Sequence, residues 1–167
     1  MMWPPYFAAA GLAILSSLFV ATGSRQAQAQ LSPSAGWTIF STPSGLSAPY
    51  PASIFSVDAG ATERGVGRKF RSEDGRSEFS AYSLPNTEGD TPRSYLRKNL
   101  LLPPTSLVYR RVTDRFFVMS SVRDERIFYS RCNFAAGIHC IFLEYPVTEK
   151  APWDRIVTRM SYSLRPQ

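Results

Sequence analysis

Few residues in this chain are able to do chemistry, and their scarcity excludes whole reaction classes. The supply of soft ligands and bases is one histidine, His139, and two cysteines, Cys132 and Cys140. A His- or Cys-rich metal site needs three or four such groups, so no metal is expected. A histidine-dependent triad would have to use His139. The alternation of its strand puts that residue beside a hairpin tip, on a face with Asn133, where it reads as a surface residue. No Gly-x-Ser-x-Gly elbow brings a nucleophile to it. Gly65-Val66-Gly67 lacks the third glycine and the strand–turn–helix setting of a phosphate-binding loop, and Glu88-Gly89-Asp90 is too sparse for calcium. No cofactor motif is present.

Carboxylates and arginines remain. Asp124-Glu125 and Glu73-Asp74 fall at turns, where acidic residues serve geometry and solubility. Glu144 differs, because its strand face is otherwise Phe142, Cys140 and Phe128; a partly buried carboxyl there suits a general acid. Its competing role is a cross-strand salt bridge to Arg126. Arg110 and Arg131 form the other candidate set. The inferred registers turn both towards the apolar face that carries Met119 and Tyr129. An arginine there either pairs with a carboxylate or marks the polar part of a ligand groove.

The element that would position most of these groups is a hairpin over Arg126–Tyr145. Ile127–Phe134 and Ile138–Tyr145 are rich in aromatic and β-branched residues, and Ala135-Ala136-Gly137 connects them. With Phe134 opposite Ile138, Cys132 falls opposite Cys140. Leu107–Thr113 and Phe116–Val122 precede this hairpin, joined by polar turns at Asp114-Arg115 and Arg123-Asp124-Glu125, so a four-stranded antiparallel meander is expected. The registers give one face with Val108, Val112, Phe117, Met119, Ile127, Tyr129, Ile141, Leu143 and Tyr145. The other carries Tyr109, Phe116, Val118, Val122, Phe128, Phe142 and the cystine. Both faces are apolar, so each needs a cover.

Upstream, Trp37–Phe40 and Leu46–Tyr50 read as short strands, with Pro49 and Pro51 marking an edge or strand end. Ile54–Val57 reads as a further piece before a mobile Gly60–Gly67 loop. Asp74-Gly75 is a two-residue turn signal; it sets Glu73 against Arg76, Arg71 against Glu78 and Phe70 against Phe79. Thr91 caps a helix that starts at Pro92, buries Tyr95, Leu96, Asn99 and Leu100, and stops at Pro103-Pro104. Pro152 opens the last helix, with Trp153, Ile156, Val157, Met160 and Leu164 on one face. The fold class is therefore α+β, an antiparallel sheet of hairpins covered by helices or by a helix and the N-terminal strands.

The chain holds 19 basic and 13 acidic residues, a formal charge of +6, and 16 of the basic residues are arginine. That excess reads either as an anion-binding face or as arginine-rich codon usage, with the acidic residues interleaved. Tyr6–Ala21 is apolar apart from Gly11, Ser16 and Ser17, and Ala27-Gln28-Ala29 offers small residues at both cleavage positions. This is the pattern of a secretory signal peptide over residues 1–29, followed by a linker over 30–36 and a single domain over 37–167. Its rival is a retained anchor, but the run is shorter than the ~20 residues a spanning helix needs. Export fits two cysteines paired as a disulfide, and it sets nucleic acid aside as a partner.

Several landmarks are similar to one another family's layout: the early aromatic strand, Gly45…Tyr50-Pro51, Phe70-x-Ser72-x-Asp74-Gly75, Tyr109…Phe116-Phe117-Val118-x-Ser120-Ser121…Phe128-Tyr129, Tyr145-Pro146 and the helix at Pro152. They resemble small exported bacterial proteins without an assigned function, whose element order is that of the Mog1/PsbP-like α/β/α sandwich. The resemblance implies a three-layer fold and binding or accessory work, with no functional residue carried over. The expected function is a noncatalytic periplasmic or secreted binding protein for an envelope protein or an anionic ligand. The alternative is a carboxylate-dependent hydrolase of envelope carbohydrate using Glu144. Thiol titration of the exported, never-reduced protein should find no free thiol; two freely titrating thiols would refute the register that pairs Cys132 with Cys140.

Overall fold

The computed structural model describes residues 36–99 and 106–166. The expected leader, the linker up to residue 35, Leu100 and the Pro103-Pro104 helix stop lie outside the described residues.

Two strands open the described chain, β1 (Trp37–Ser41) and β2 (Leu46–Pro51), followed by β3 (Val57–Ala61), β4 (Val66–Arg71), β5 (Glu78–Pro85) and helix α1 (Pro92–Asn99). Then come β6 (Leu107–Val112), β7 (Phe116–Arg123), β8 (Arg126–Phe134) and β9 (Gly137–Pro146). A 3-10 turn, Val147–Glu149, leads into α2 (Lys150–Ser163) and the short β10 (Arg165–Pro166). All pairing is antiparallel. The strands form a three-stranded sheet in the order β1-β2-β10 and a seven-stranded sheet in the order β3-β4-β5-β9-β8-β7-β6. The class is α+β. Among the described residues no helix is long and apolar enough to cross a membrane.

The expected meander is β6-β7-β8-β9, and the Asp74-Gly75 hairpin joins it by pairing β5 with β9. Phe70 faces Phe79 and Arg71 faces Glu78, as the turn chemistry requires. Arg76 does not pair with Glu73, however. Its guanidinium bonds Asp74 at 2.9 Å and also meets Glu149 at the start of α2. The Ser72 hydroxyl and the Arg76 backbone N–H both donate to Asp74, holding its carboxyl down at about 2.

The Gly60–Gly67 stretch is a hairpin, not a loop: β3 and β4 pair across it with a bulge between Asp58 and Gly60. Glycine there permits close backbone approach, since a Cβ added at Gly67 would run into the Ala81 carbonyl on β5. Ile54 is in a turn closed onto the Pro51 carbonyl, and the strand starts only at Val57.

The larger correction concerns parity. The β7–β8 connection is two residues, Asp124 and Glu125, both with positive φ (49° and 58°), so Arg123 faces Arg126. A loop of three residues would have moved β7 by one position, and one position exchanges the faces of every side chain on the strand. Phe117 and Met119 therefore lie with the cystine, and Phe116, Val118 and Val122 lie with Ile127, Tyr129, Ile141 and Leu143, the reverse of the expected faces. On β6 a bulge at Val108 leaves that residue 66% exposed.

Each face has its own core. On one, Phe79, Ile127, Ile141, Leu143 and Tyr145 pack beneath Trp153, Ile156, Val157 and Met160 of α2 and against Leu46, Ala48 and Tyr50 of β2. On the other, Tyr95 and Leu96 of α1 pack on Phe117, Met119, Ile138 and the cysteines. Thr91 caps α1 as expected, its Oγ1 accepting the Ser94 N–H at 3.2 Å. Asn99, expected on the buried side, is exposed. Cys132 and Cys140 form a disulfide with Cα atoms 4.1 Å apart, close to the spacing of a non-hydrogen-bonded pair.

Replacing Glu125 with glycine should relieve a left-handed non-glycine residue while keeping the backbone bond from the Val147 N–H to the residue-125 carbonyl (2.9 Å). The expected gain is about 1 kcal/mol, read as a higher midpoint in chemical denaturation. An unchanged or lower midpoint would show that the turn is not strained.

Candidate functional site

Strand alternation on β6, β7 and β8 sends Tyr109, Arg111, Phe116, Val118, Tyr129 and Arg131 to the face that α2 partly covers. The helix adds Val157 and Ser161, one turn apart, with Thr158 and Tyr162 beside them. Together they enclose a groove of about 360 Å³ without a carboxylate in its lining.

Arg131 is the half-buried centre of this groove. Its Nε donates to Asn133 Oδ1 at 3.0 Å and its Nη1 to Ser161 Oγ at 3.2 Å. Ser161 Oγ also accepts the Tyr129 hydroxyl at 2.6 Å. The Arg131 guanidinium carbon lies 4.5 Å from the Phe116 ring centroid and that of Arg111 5.5 Å from the same centroid, so one ring holds both cations. Among the described residues, no carboxylate is within ion-pair distance of either arginine. Among the described residues no buried polar side-chain atom lacks a partner, so the Arg131 Nη2, which bonds no acceptor among them, is not fully buried. Burial lowers the Arg131 pKa, the nearby phenols of Tyr129 and Tyr162 oppose that, and the like charge of Arg111 adds to it. Burial raises the Tyr129 phenol against its bond to Ser161.

The candidates expected to share a face are divided by the β7 parity. Tyr129 and Arg131 line the groove. Met119 is buried on the opposite face beneath α1, and Arg110, its cross-strand partner, is exposed on that side. Their chain neighbours Val118 and Arg111 occupy the groove instead. Glu144 lies on the α1 side of the sheet, in an ion pair with Arg126, whose Nη2 also donates to the Arg76 carbonyl at 2.7 Å. No known protein-family model matches the chain, and no curated protein matches it either. Of the residues sequence reasoning missed, Arg111 and Phe116 reach the groove through the β7 register, whereas Ser161 and Tyr162 carry no local signal and join the site only because α2 docks where it does.

A second cavity of about 440 Å³ lies beside α1, but its Lys98 is already neutralised by Glu88 (2.6 Å) and Asp90 (2.7 Å). Among the described residues, no three metal-type ligands gather.

His139 departs from its expected place. It is only 2% exposed, with Nδ1 2.9 Å from Ser83 Oγ, and Ser83 Oγ is 3.1 Å from Thr42 Oγ1. The β1–β2 turn therefore covers the end of β9 that strand alternation alone leaves open. Ser83 is a hydroxyl beside the histidine, but both are buried and neither lines either of the two cavities; it is the Ser83–Thr42 hydroxyl bond that ties the turn to the sheet.

Burial lowers the His139 pKa below its ordinary 6.5, so the unfolded chain binds that proton more readily than the folded one. The stabilisation is complete above 6.5 and is lost as pH falls through 6.5 towards the lower folded value. The stability difference between wild type and His139→Gln, from denaturant unfolding, should therefore shrink between about pH 7.5 and about pH 5. A difference constant with pH would show that the buried imidazole does not titrate in this range.

Proposed function

We propose that this is an exported, noncatalytic binding or accessory protein whose ligand is an anion seated in the groove between β6–β8 and α2. The observation that carries the reading is Arg131: a half-buried guanidinium with only neutral partners, beside a second arginine on the same ring. Removing a cation from water is costly unless a counter-charge completes it, and a guanidinium already oriented by Asn133 and Ser161 offers a fixed fork to an incoming oxyanion. Export is supported by the leader-like N-terminus and the paired cysteines. The helices on the two faces are read as outer layers of a three-layer arrangement, as the Mog1/PsbP-like resemblance implies. The hydrolase alternative gains no support, because Glu144 is held by Arg126 and lies outside the groove.

Inorganic phosphate and citrate, titrated in separate NMR experiments, should shift the Arg131, Arg111 and Tyr129 resonances. In Arg111→Gln and Arg131→Gln binding should weaken by at least about tenfold, and it should fall with added salt. Shifts confined to the exposed basic face of α1, at Arg93 and Arg97, would overturn the assignment to this groove.

A further inference from the structure

We infer that the groove's occupant is an acidic saccharide, a short run of carboxylated sugar rings; this rests on the anion-binding reading above. Two exposed tyrosines mark it. Tyr109 is 49% exposed on β6 and Tyr162 is 73% exposed on α2, and both line the groove. Neither belongs to a core cluster, so burial does not account for them. Their phenols lie close enough to that of Tyr129 to raise its pKa electrostatically, and Tyr162 also acts on Arg131. Phenol groups, the Ser161 and Thr158 hydroxyls and two guanidiniums thus converge on one open groove.

That combination matches the three surfaces of a uronate. Its carboxylate suits the guanidinium fork. Its apolar ring face suits an exposed aromatic side chain with a polar tip. Its hydroxyls need the alternating donors and acceptors that phenols and Ser161 supply. A bare phosphate would use the arginines and leave both tyrosine rings idle, and about 360 Å³ is the size of a small-molecule site rather than of one tetrahedral ion. An acyl chain needs a long aliphatic lining, and the only aliphatic residues here are Val118 and Val157. An acidic peptide would pair its carboxylates with the arginines, but it would use the edge of β6, unpaired among the described residues, rather than a ring on α2.

Calorimetric titration separates these outcomes, with di- and trigalacturonate, their methyl esters, inorganic phosphate and a glutamate-rich peptide as probes. Galacturonate should bind, and its ester at least about tenfold more weakly, ~1.4 kcal/mol. Tyr162→Ala, at a 73% exposed helix position, should weaken galacturonate by at least about fivefold and phosphate by distinctly less, with the thermal midpoint measured beside it as the check on folding. Phosphate binding without galacturonate binding, or equal galacturonate affinity in wild type and Tyr162→Ala, would overturn the saccharide assignment and leave the anion groove standing. Tighter binding of the peptide would replace the saccharide with a protein partner. If no probe binds, or if Arg111→Gln and Arg131→Gln bind every probe as wild type does, the anion groove itself falls.

Discussion

The two left-handed residues of the β7–β8 turn set the parity on which both faces of the large sheet depend. Holding Asp124 and Glu125 at positive φ costs roughly 1–2 kcal/mol each. The register it permits buries Phe117 and Met119 beneath α1, at 1% and 6% exposure, which contributes roughly 1.5–3 kcal/mol for each side chain. Slipping β7 by one residue would instead turn Phe116 and Val118 towards α1 and Phe117 and Met119 towards α2. Burial thus offsets the turn's backbone strain, and the groove chemistry comes with it. Only in this register does Phe116 lie on the Arg131 side, where it stacks under both guanidiniums.

The groove itself is a consequence of widths. Seven strands at ~4.8 Å make a sheet about 30 Å across, whereas one helix covers ~10 Å. The main contacts of α2 are with β2 and β9, and the three-stranded sheet lies on that same side. On that side β6 and β7 lie at the margin of α2, and the step down from the helix to those strands is the groove. Polar and aromatic residues occupy the step because it is neither core nor open surface. Ser161 is placed one residue beyond the buried Met160, where the helix face turns from the core towards Arg131.

The opposite side works differently. There α1 and the cystine close a smaller core around Phe117 and Ile138. Tyr82, half-buried against this cluster, has its phenol pushed up to about 12 by desolvation. Further along the same face Glu144 and Arg126 form an ion pair at the sheet's end, where Arg126 also ties down the carbonyl of Arg76 in the β4–β5 turn. The arrangement stabilises a junction, and it leaves Glu144 no open approach from either groove.

The sequence by itself determined the local events. The Phe70–Phe79 register, the Thr91 cap, the apolar face of α2 and the Cys132–Cys140 pairing all follow from residues within a few positions of one turn or helix end. Turn chemistry and side-chain periodicity act over that range, so they are legible in one dimension. Tertiary structure decided the rest. Local backbone strain disfavours the two-residue form of the Asp124 turn, and burial on both faces of β7 selects it nonetheless. His139 was expected at the surface because its strand ends there, and it is buried because a turn some hundred positions earlier folds over it. The site was half legible for the same reason. Tyr129 and Arg131 share a strand and a face by alternation alone, whereas Arg111, Phe116 and Ser161 reach them only through register and helix docking, which depend on the packing of the whole sheet.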